Sequence, residues 1–304
     1  MKSPNSNLQN EKSDRIVLFA DLRDSTDILI NFEQDRYKKT AGPSVSGYSY
    51  EKFILNLHET IYKELYLGHE YTYGEIYGDG VVGVFPEDNA KYILENVYRL
   101  ASRMRINNDL PGVGVSSPKI DIGFGITVGR VSFVYYPFDK QDHPVGQSIH
   151  EAARIEGVSK FYDARVLVSH RFLSFAESFL TSDPRFSYRF IDQVVLRGFR
   201  EPLTLFELLL DNDPRFDIKT NSIQEYSKGY SKYREGKWKE AKEIFLKIYH
   251  EYGLGIGGVM AKRCDILAAS PPSTDWNAIW KLGPDNYFDA AVFKSFDAVD
   301  SSFH

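Results

Sequence analysis

Short apolar runs alternate with longer amphipathic stretches along this chain. Arg15-Ile-Val-Leu-Phe-Ala20 is an uninterrupted apolar run behind a polar tail, and it predicts a buried strand with Asp21 at its end. Residues 22–36 predict the start of a helix, with Ser25 and Thr26 as cap candidates. A Gly/Pro/Ser-rich loop follows at 38–47. Phe53, Ile54, Leu57, Ile61 and Leu65 then recur at helical spacing over 50–67. Two β-rich runs between Tyr71 and Phe85 flank Gly78-Asp79-Gly80, the pattern of a hairpin. A helix is expected over 88–107, a strand over 120–136, a helix over 146–161 and a short strand over 165–169 leading into another helix. Two further strands are expected between Phe186 and Leu210.

A polar, Pro-containing break at 211–215 suggests a boundary. Beyond it residues 222–250 are strongly helical. Gly229, Gly236, Ala241 and Phe245 fall where a single tetratricopeptide-like hairpin places its small and packing residues. One such repeat does not bury its own apolar face, so it is expected to pack against the preceding domain or a second chain. Pro271, Pro272, Trp276 and Trp280 mark a tighter tail. The expected organisation is a disordered arm at 1–13, a main domain at 14–212 and a helical accessory domain at 218–304.

Composition narrows the class. With 42% hydrophobic and 26% charged residues in 304, the chain can bury a sizeable core. Its formal net charge of −5 argues against a general nucleic-acid binder, while leaving room for a local basic pocket. A lone cysteine, Cys264, permits no intramolecular disulfide and suits a reducing, cytoplasmic setting. No apolar run approaches the roughly 20 residues needed to cross a bilayer, and Met1 to Asp14 lacks the apolar segment of a signal peptide.

The candidate chemistry lies in two carboxylates at strand tips, Asp21 and Asp79. Hard oxygen ligands of this kind suit Mg²⁺ or Mn²⁺. Taken singly, Asp21 reads equally as a helix cap and Asp79 as a turn residue. Four segments in order change the weighting: Phe19-Ala-Asp-Leu-Arg-Asp-Ser-Thr26, Tyr77-Gly-Asp-Gly-Val-Val-Gly-Val-Phe85, Gly123-Phe-Gly-Ile-Thr-Val-Gly129 and Gly146-Gln-Ser-Ile-His-Glu-Ala-Ala-Arg154. Together they resemble the class III adenylate and guanylate cyclases, over residues 14–210.

That resemblance implies an α+β, ferredoxin-like domain that forms a homodimer with active sites at the interface. It implies two Mn²⁺ or Mg²⁺ ions per active site, held by Asp21 and Asp79 with the Leu22 carbonyl as a further ligand. It implies cyclisation of a nucleoside triphosphate, the ribose 3′ oxygen attacking the α-phosphate as pyrophosphate leaves. Backbone N–H groups at the helix start by Ser25 and Thr26 would favour phosphate oxygens. Arg154 matches the arginine that stabilises the reacting phosphate; by itself it reads as a surface helix residue. His150 stands where the family usually has asparagine, which puts ribose positioning in question. Arg197 or Arg200 would replace a lysine that holds the terminal phosphates.

Two positions bear on the base. Adenylate cyclases usually carry lysine four residues before the second aspartate, where this chain has Glu75. They carry aspartate or threonine three residues before Gly146, where it has His143. An ionised glutamate only accepts hydrogen bonds and would face the adenine N1 lone pair. It suits guanine, uracil N3–H or cytosine N4–H₂, and a bulky His143 favours a pyrimidine. The reading therefore leans to UTP or CTP and resembles the pyrimidine cyclases of bacterial antiphage signalling, whose departures include a long segment such as Tyr37 to Tyr50. A guanylate cyclase is the alternative, and a non-catalytic nucleotide-binding dimerisation module is the alternative of another class. The C-terminal helices could bind a protein partner.

Overall fold

A computed structural model describes residues 13–38, 50–67, 71–106 and 121–282. Apart from Ser13, the arm expected at 1–13 lies outside the described residues, as does the Gly/Pro/Ser-rich stretch apart from Lys38. The chain divides into two compact units, Met1–Ala153 and Arg154–His304, a division that does not coincide with the polar break at 211–215.

The first unit is built on β1, Ser13–Leu22, whose apolar run makes it a central strand. It pairs antiparallel with β3, Gly80–Pro86, on one side and β4, Ile122–Tyr136, on the other. β2, Tyr73–Tyr77, pairs with β3, and β5, Gln141–Val145, pairs with the far end of β4. Side chains alternate along β1. Val17 joins Val82, Val84, Val131 and Phe133 on one face, while Ile16, Leu18 and Ala20 are fully buried on the other. The helices α1, Ser25–Lys38, α2, Tyr50–Leu65, and α3, Ala90–Ile106, complete the unit. The apolar stripe of α2 is buried through Phe53, Leu57, Ile61 and Leu65. Just beyond it, buried Tyr66 donates to the Val82 carbonyl at 2.9 Å and ties the helix to β3. The sequence pattern did not predict β5, since Asp142 and Pro144 are poor strand formers, yet an edge strand tolerates a proline that a central one does not.

α4, Gln147–Ser159, runs across the division between the units. In the second unit the strands β6, Val166–Ser169, β8, Leu203–Leu210, β7, Phe186–Val195, and β9, Trp280–Lys281, lie in that order. α5, His170–Ser182, follows β6, and α6 to α9 span Phe216–Asn221, Ile223–Arg234, Trp238–Tyr252 and Gly255–Ala269. α7 and α8 form the expected helical hairpin, with Gly229, Ala241 and Phe245 buried. Its apolar face is covered by the last strands: Ile191, Val194 and Leu205 share one core with Tyr226, Tyr230, Phe245, Ile256 and Met260. α9 was not predicted, because Gly255, Gly257 and Gly258 weaken helix propensity. Packing overrides that cost. A Cβ on Gly257 would sit 2.5 Å from the Phe245 carbonyl oxygen, so glycine is what lets α9 approach α8.

Buried charge also organises this unit. Glu207 on β8 accepts from Arg189 Nε at 2.8 Å and Lys219 Nζ at 2.6 Å, all three side chains being almost wholly buried. Asp192 accepts from Tyr162 at 2.8 Å and pairs with Arg263 of α9. Among the described residues, no helix is long and apolar enough to cross a membrane.

Candidate active site

Asp21 sits at the end of β1 where pairing changes. Ala20 still pairs with Val81 on β3, whereas Asp21 pairs only with Gly123 on β4. On the β3 side the carboxylate lies against Gly80: a Cβ there would come within 2.7 Å of Asp21 Oδ1 and 2.9 Å of the Ala20 carbonyl oxygen. The β2–β3 connection is a two-residue turn, with Tyr77 paired to Gly80. Gly78 takes its first position at φ +62, which leaves Asp79 at the second. The strand end and the turn thus bring the two carboxylates within electrostatic reach. Burial, followed by the negative charge of Asp79, pushes Asp21 up to about 6, partly offset by a hydrogen bond from the Leu22 backbone.

Asp79 Oδ2 is buried and has no hydrogen-bond partner among the described residues. An unpaired buried acceptor beside a second carboxylate is costly without a counter-charge. The residues therefore fit a divalent cation with a preference for hard oxygen. Among the described residues no cluster of three or more His, Cys, Asp or Glu could hold a metal. Main-chain carbonyls such as that of Leu22 and substrate phosphates would complete such a site, in the manner usual for Mg²⁺. Ser25, half-buried, and Thr26, exposed, open α1 four and five residues beyond Asp21. The turn between carries Asp24 at φ 55, a conformation aspartate tolerates.

The two base candidates, Glu75 and His143, come together through a residue not anticipated from the sequence. Tyr73, Glu75 and Tyr77 share one face of β2. The Tyr73 hydroxyl donates to Glu75 Oε2 and lies 3.3 Å from His143 Nδ1, while His143 Nε2 lies 2.5 Å from Asp139 Oδ2. Tyr77 also hydrogen-bonds Glu75. Burial first, then the bond to Glu75, holds the Tyr73 hydroxyl far above its usual range, so it stays a donor. The Tyr136 ring packs 5.0 Å from the His143 ring.

His150 and Arg154 stand one turn apart on α4 and are both exposed. Between them Glu151 and Ala152 are buried, and Thr127 of β4 donates to Glu151 at 2.6 Å, which fixes the helix. Among the described residues neither Arg154 nor His150 makes a side-chain hydrogen bond or ion pair. Arg197 and Arg200 are exposed on the turn between β7 and β8. The first unit by itself therefore unites Asp21, Leu22 and Asp79, and separately Glu75 and His143. Arg154, Arg197 and Arg200 belong to the second unit.

No protein-family model matches the chain. A terminal-differentiation-specific adenylate cyclase of Dictyostelium discoideum is 24% identical over 243 residues, covering 75% of this chain; the match spans 10% of that protein's length. Among solved structures, the adenylyl cyclase CyaB from P. aeruginosa superposes with a TM-score of 0.51 at 17% identity, covering 66% of this chain and 96% of that one. A bacterial light-regulated adenylyl cyclase superposes with a TM-score of 0.50 at 12% identity, covering 66% and 53%. The chain has the cyclase-domain fold.

Within that fold, two residues the sequence reading passed over come within electrostatic reach of Asp79. Tyr50 and His58, both on α2, feel its charge. Burial lowers His58 below the usual imidazole value; a hydrogen bond to the Gly78 backbone and then the Asp79 charge oppose the shift. Neither carries a spacing signal, because a helix-to-turn contact leaves no local trace. Strand alternation, by contrast, could have linked Tyr73 and Tyr77 to Glu75.

The carboxylate pair makes a pH prediction. With Asp21 at about 6 in the fold against 3.8 ordinarily, the folded chain holds a proton between those values that the unfolded chain has lost. The stability it lends is full below pH 3.8 and disappears as pH rises through about 6. Asp21→Asn should therefore stabilise the metal-free protein near neutral pH by about 1 kcal/mol, after discounting for a half-exposed group. The gain should vanish in acid. Thermal melts of both proteins across pH check this; an Asp21→Asn protein no more stable than the parent at neutral pH would count against a strained pair.

Proposed function

We propose that the chain is a nucleotide cyclase, converting a nucleoside triphosphate to a 3′,5′-cyclic monophosphate and pyrophosphate. The observation that carries this is the facing pair Asp21 and Asp79, one raised in pKa and the other with an unpartnered buried oxygen. The residues would hold two Mn²⁺ or Mg²⁺ ions. Bound there, the cations would acidify the ribose 3′-OH and neutralise charge on the leaving pyrophosphate. The 3′ oxygen attacks the α-phosphorus in line, the bond to the bridging oxygen breaks, and pyrophosphate departs. Backbone N–H groups where Ser25 and Thr26 open α1 bind phosphate oxygens. Arg154 presents a planar guanidinium to charge developing on the phosphate, and His150 donates to the ribose. Arg197 or Arg200 holds the terminal phosphates. In this reading residues 14–212 carry the reaction and 218–304 form an accessory segment open to a protein partner.

The active form is a cytosolic homodimer with active sites at the interface. Supporting this, the β4–β5 hairpin exposes Val134, Tyr135 and Val145, with Phe138 82% exposed. Apolar side chains gathered in this way mark a contact surface.

The substrate is a pyrimidine nucleotide, UTP or CTP, and the product serves antiphage signalling. Glu75 accepts from Tyr73 and Tyr77, and the Tyr73 hydroxyl also lies by His143, whose ring packs against Tyr136. An acceptor with a bulky histidine nearby suits uracil N3–H or cytosine N4–H₂ and disfavours adenine. The Glu75 carboxylate equally matches the adjacent N1–H and N2–H₂ donors of guanine, which makes cyclic GMP the second reading.

Incubation with Mn²⁺ and each of ATP, GTP, CTP and UTP, with products identified by mass, tests the proposal. Cyclic UMP or cyclic CMP should dominate. Predominant cyclic GMP would replace the pyrimidine reading with the guanylate one, and predominant cyclic AMP would overturn the role given to Glu75. No product from any of the four would favour a nucleotide-binding module.

A further inference from the structure

A bare carboxylate at position 75 would serve guanine as well as a pyrimidine, because both of its oxygens would be open to a base. In this chain one of them is already engaged. Strand alternation puts Tyr73 on the same face of β2 as Glu75, and the Tyr73 hydroxyl donates to Glu75 Oε2. Tyr73 is itself held from several sides. Its ring packs on the core of Val82, Val84, Val131 and Phe133, with the Phe133 ring 6.4 Å away. Its oxygen lies 3.3 Å from His143 Nδ1. His143 Nε2 lies 2.5 Å from Asp139 Oδ2. Asp139 Oδ1 accepts from the Gln141 backbone N–H at 3.1 Å, which pins it to the β4–β5 turn. Four side chains thus run from that turn to Glu75. A phenol has a single hydrogen. With it on Glu75 the Tyr73 oxygen only accepts, so the whole chain is made when both nitrogens of His143 carry hydrogen. Tyr77, on the same face, is 55% exposed, and water or a base can take its place beside Glu75. Tyr73, packed on the core, does not give way in this manner.

We propose that Tyr73 is a positioning residue for base choice: by engaging Oε2 it leaves Glu75 one open oxygen, Oε1, which favours a base offering one donor group over guanine, which offers two. This rests on the reading of Glu75 as the group that meets the base. Guanine presents N1–H and N2–H₂ side by side, a pair that both oxygens of a carboxylate match together. Uracil has the single donor N3–H between two carbonyls, and cytosine has N4–H₂ beside an acceptor, so one oxygen suffices. Tyr73 touches no nucleotide. It acts through Glu75, and His143 and Asp139 act through Tyr73.

The test measures binding of the α,β-methylene analogues of UTP, CTP and GTP, which are not cyclised, by calorimetry with Mn²⁺ present. The full chain is compared with Tyr73→Phe, Asp139→Asn and Glu75→Gln. Phenylalanine keeps the packed ring and removes the hydroxyl. Asparagine at 139 keeps an oxygen for Gln141 N–H and loses the acceptor for His143. In Tyr73→Phe the guanine analogue should gain on the uracil analogue by about 3- to 10-fold, the worth of one hydrogen bond. Asp139→Asn should move the ratio the same way by less. A merely structural role would weaken all three analogues alike. Equal weakening or unchanged ratios in Tyr73→Phe, with an altered ratio in Glu75→Gln, would overturn the proposal and leave Glu75 at the base. An unchanged ratio in Glu75→Gln would remove Glu75 from the base and the proposal with it, as would binding of none of the three. A parent that favours guanine overturns the pyrimidine reading, and the shift in Tyr73→Phe still decides the proposal. If melting shows Tyr73→Phe to be unfolded, the Asp139→Asn ratio decides it.

Discussion

Alanine at Asp79 is expected to lower turnover by about a thousand-fold or more while leaving the chain folded, since a carboxylate holding catalytic cations underlies several kcal/mol of transition-state stabilisation. The fold should survive because Asp79 occupies a turn and, among the described residues, nothing donates a hydrogen bond to its Oδ2. Removing its charge relieves Asp21, whose raised pKa owes its second contribution to Asp79. The variant should therefore melt at or above the parent temperature without metal and lose the upward shift that Mn²⁺ gives the parent. Steady-state kinetics beside melts with and without Mn²⁺ check both halves. Residual turnover within tenfold of the parent would remove Asp79 from the site.

The second large effect concerns stability. Glu207→Gln should destabilise the second unit by about 3–5 kcal/mol, because two buried cations would lose their shared counter-charge. Burial alone would raise the Glu207 pKa, but the charges of Arg189 and Lys219 outweigh it and hold the carboxyl below its usual 4.5. A depressed value means the stabilisation is present above pH 4.5 and lost as pH falls through the lower folded value. The gap between parent and variant in urea unfolding should thus be widest near neutral pH and close in acid. A gap independent of pH would point to packing rather than charge.

Much of the candidate site's local geometry was legible because its signals are local. An apolar run ending in Asp21, and two β-rich runs around a glycine-flanked Asp79, each specify their geometry within a few residues. The start of α1 at Ser25 and the helix carrying His150 and Arg154 were legible for the same reason. What escaped depends on partners distant in sequence. β5 exists because β4 offers an edge to a polar, proline-containing segment. α9 exists because α8 and the last strands bury a glycine-rich stretch that local propensity disfavours. His58 reaches Gly78 across twenty positions of chain, and Tyr73 joins Glu75 to His143 across seventy. In each case the deciding term is a tertiary contact, which no window of residues displays.

The core shared by β7, β8 and α7 to α9 bears on how the chain is made. During synthesis the two strands leave the ribosome well before the helices that cover them. Ile191, Val194 and Leu205 meet Ile155, Tyr162 and Leu167, made before them, but their core stays incomplete until residues as far as Met260 have emerged. The first unit has all its strands by Val145 and can fold earlier. Newly made protein would thus pass through a stage in which the first unit can close while the core of the second is only partly covered. A codon-level pause or a bound chaperone would act most strongly there.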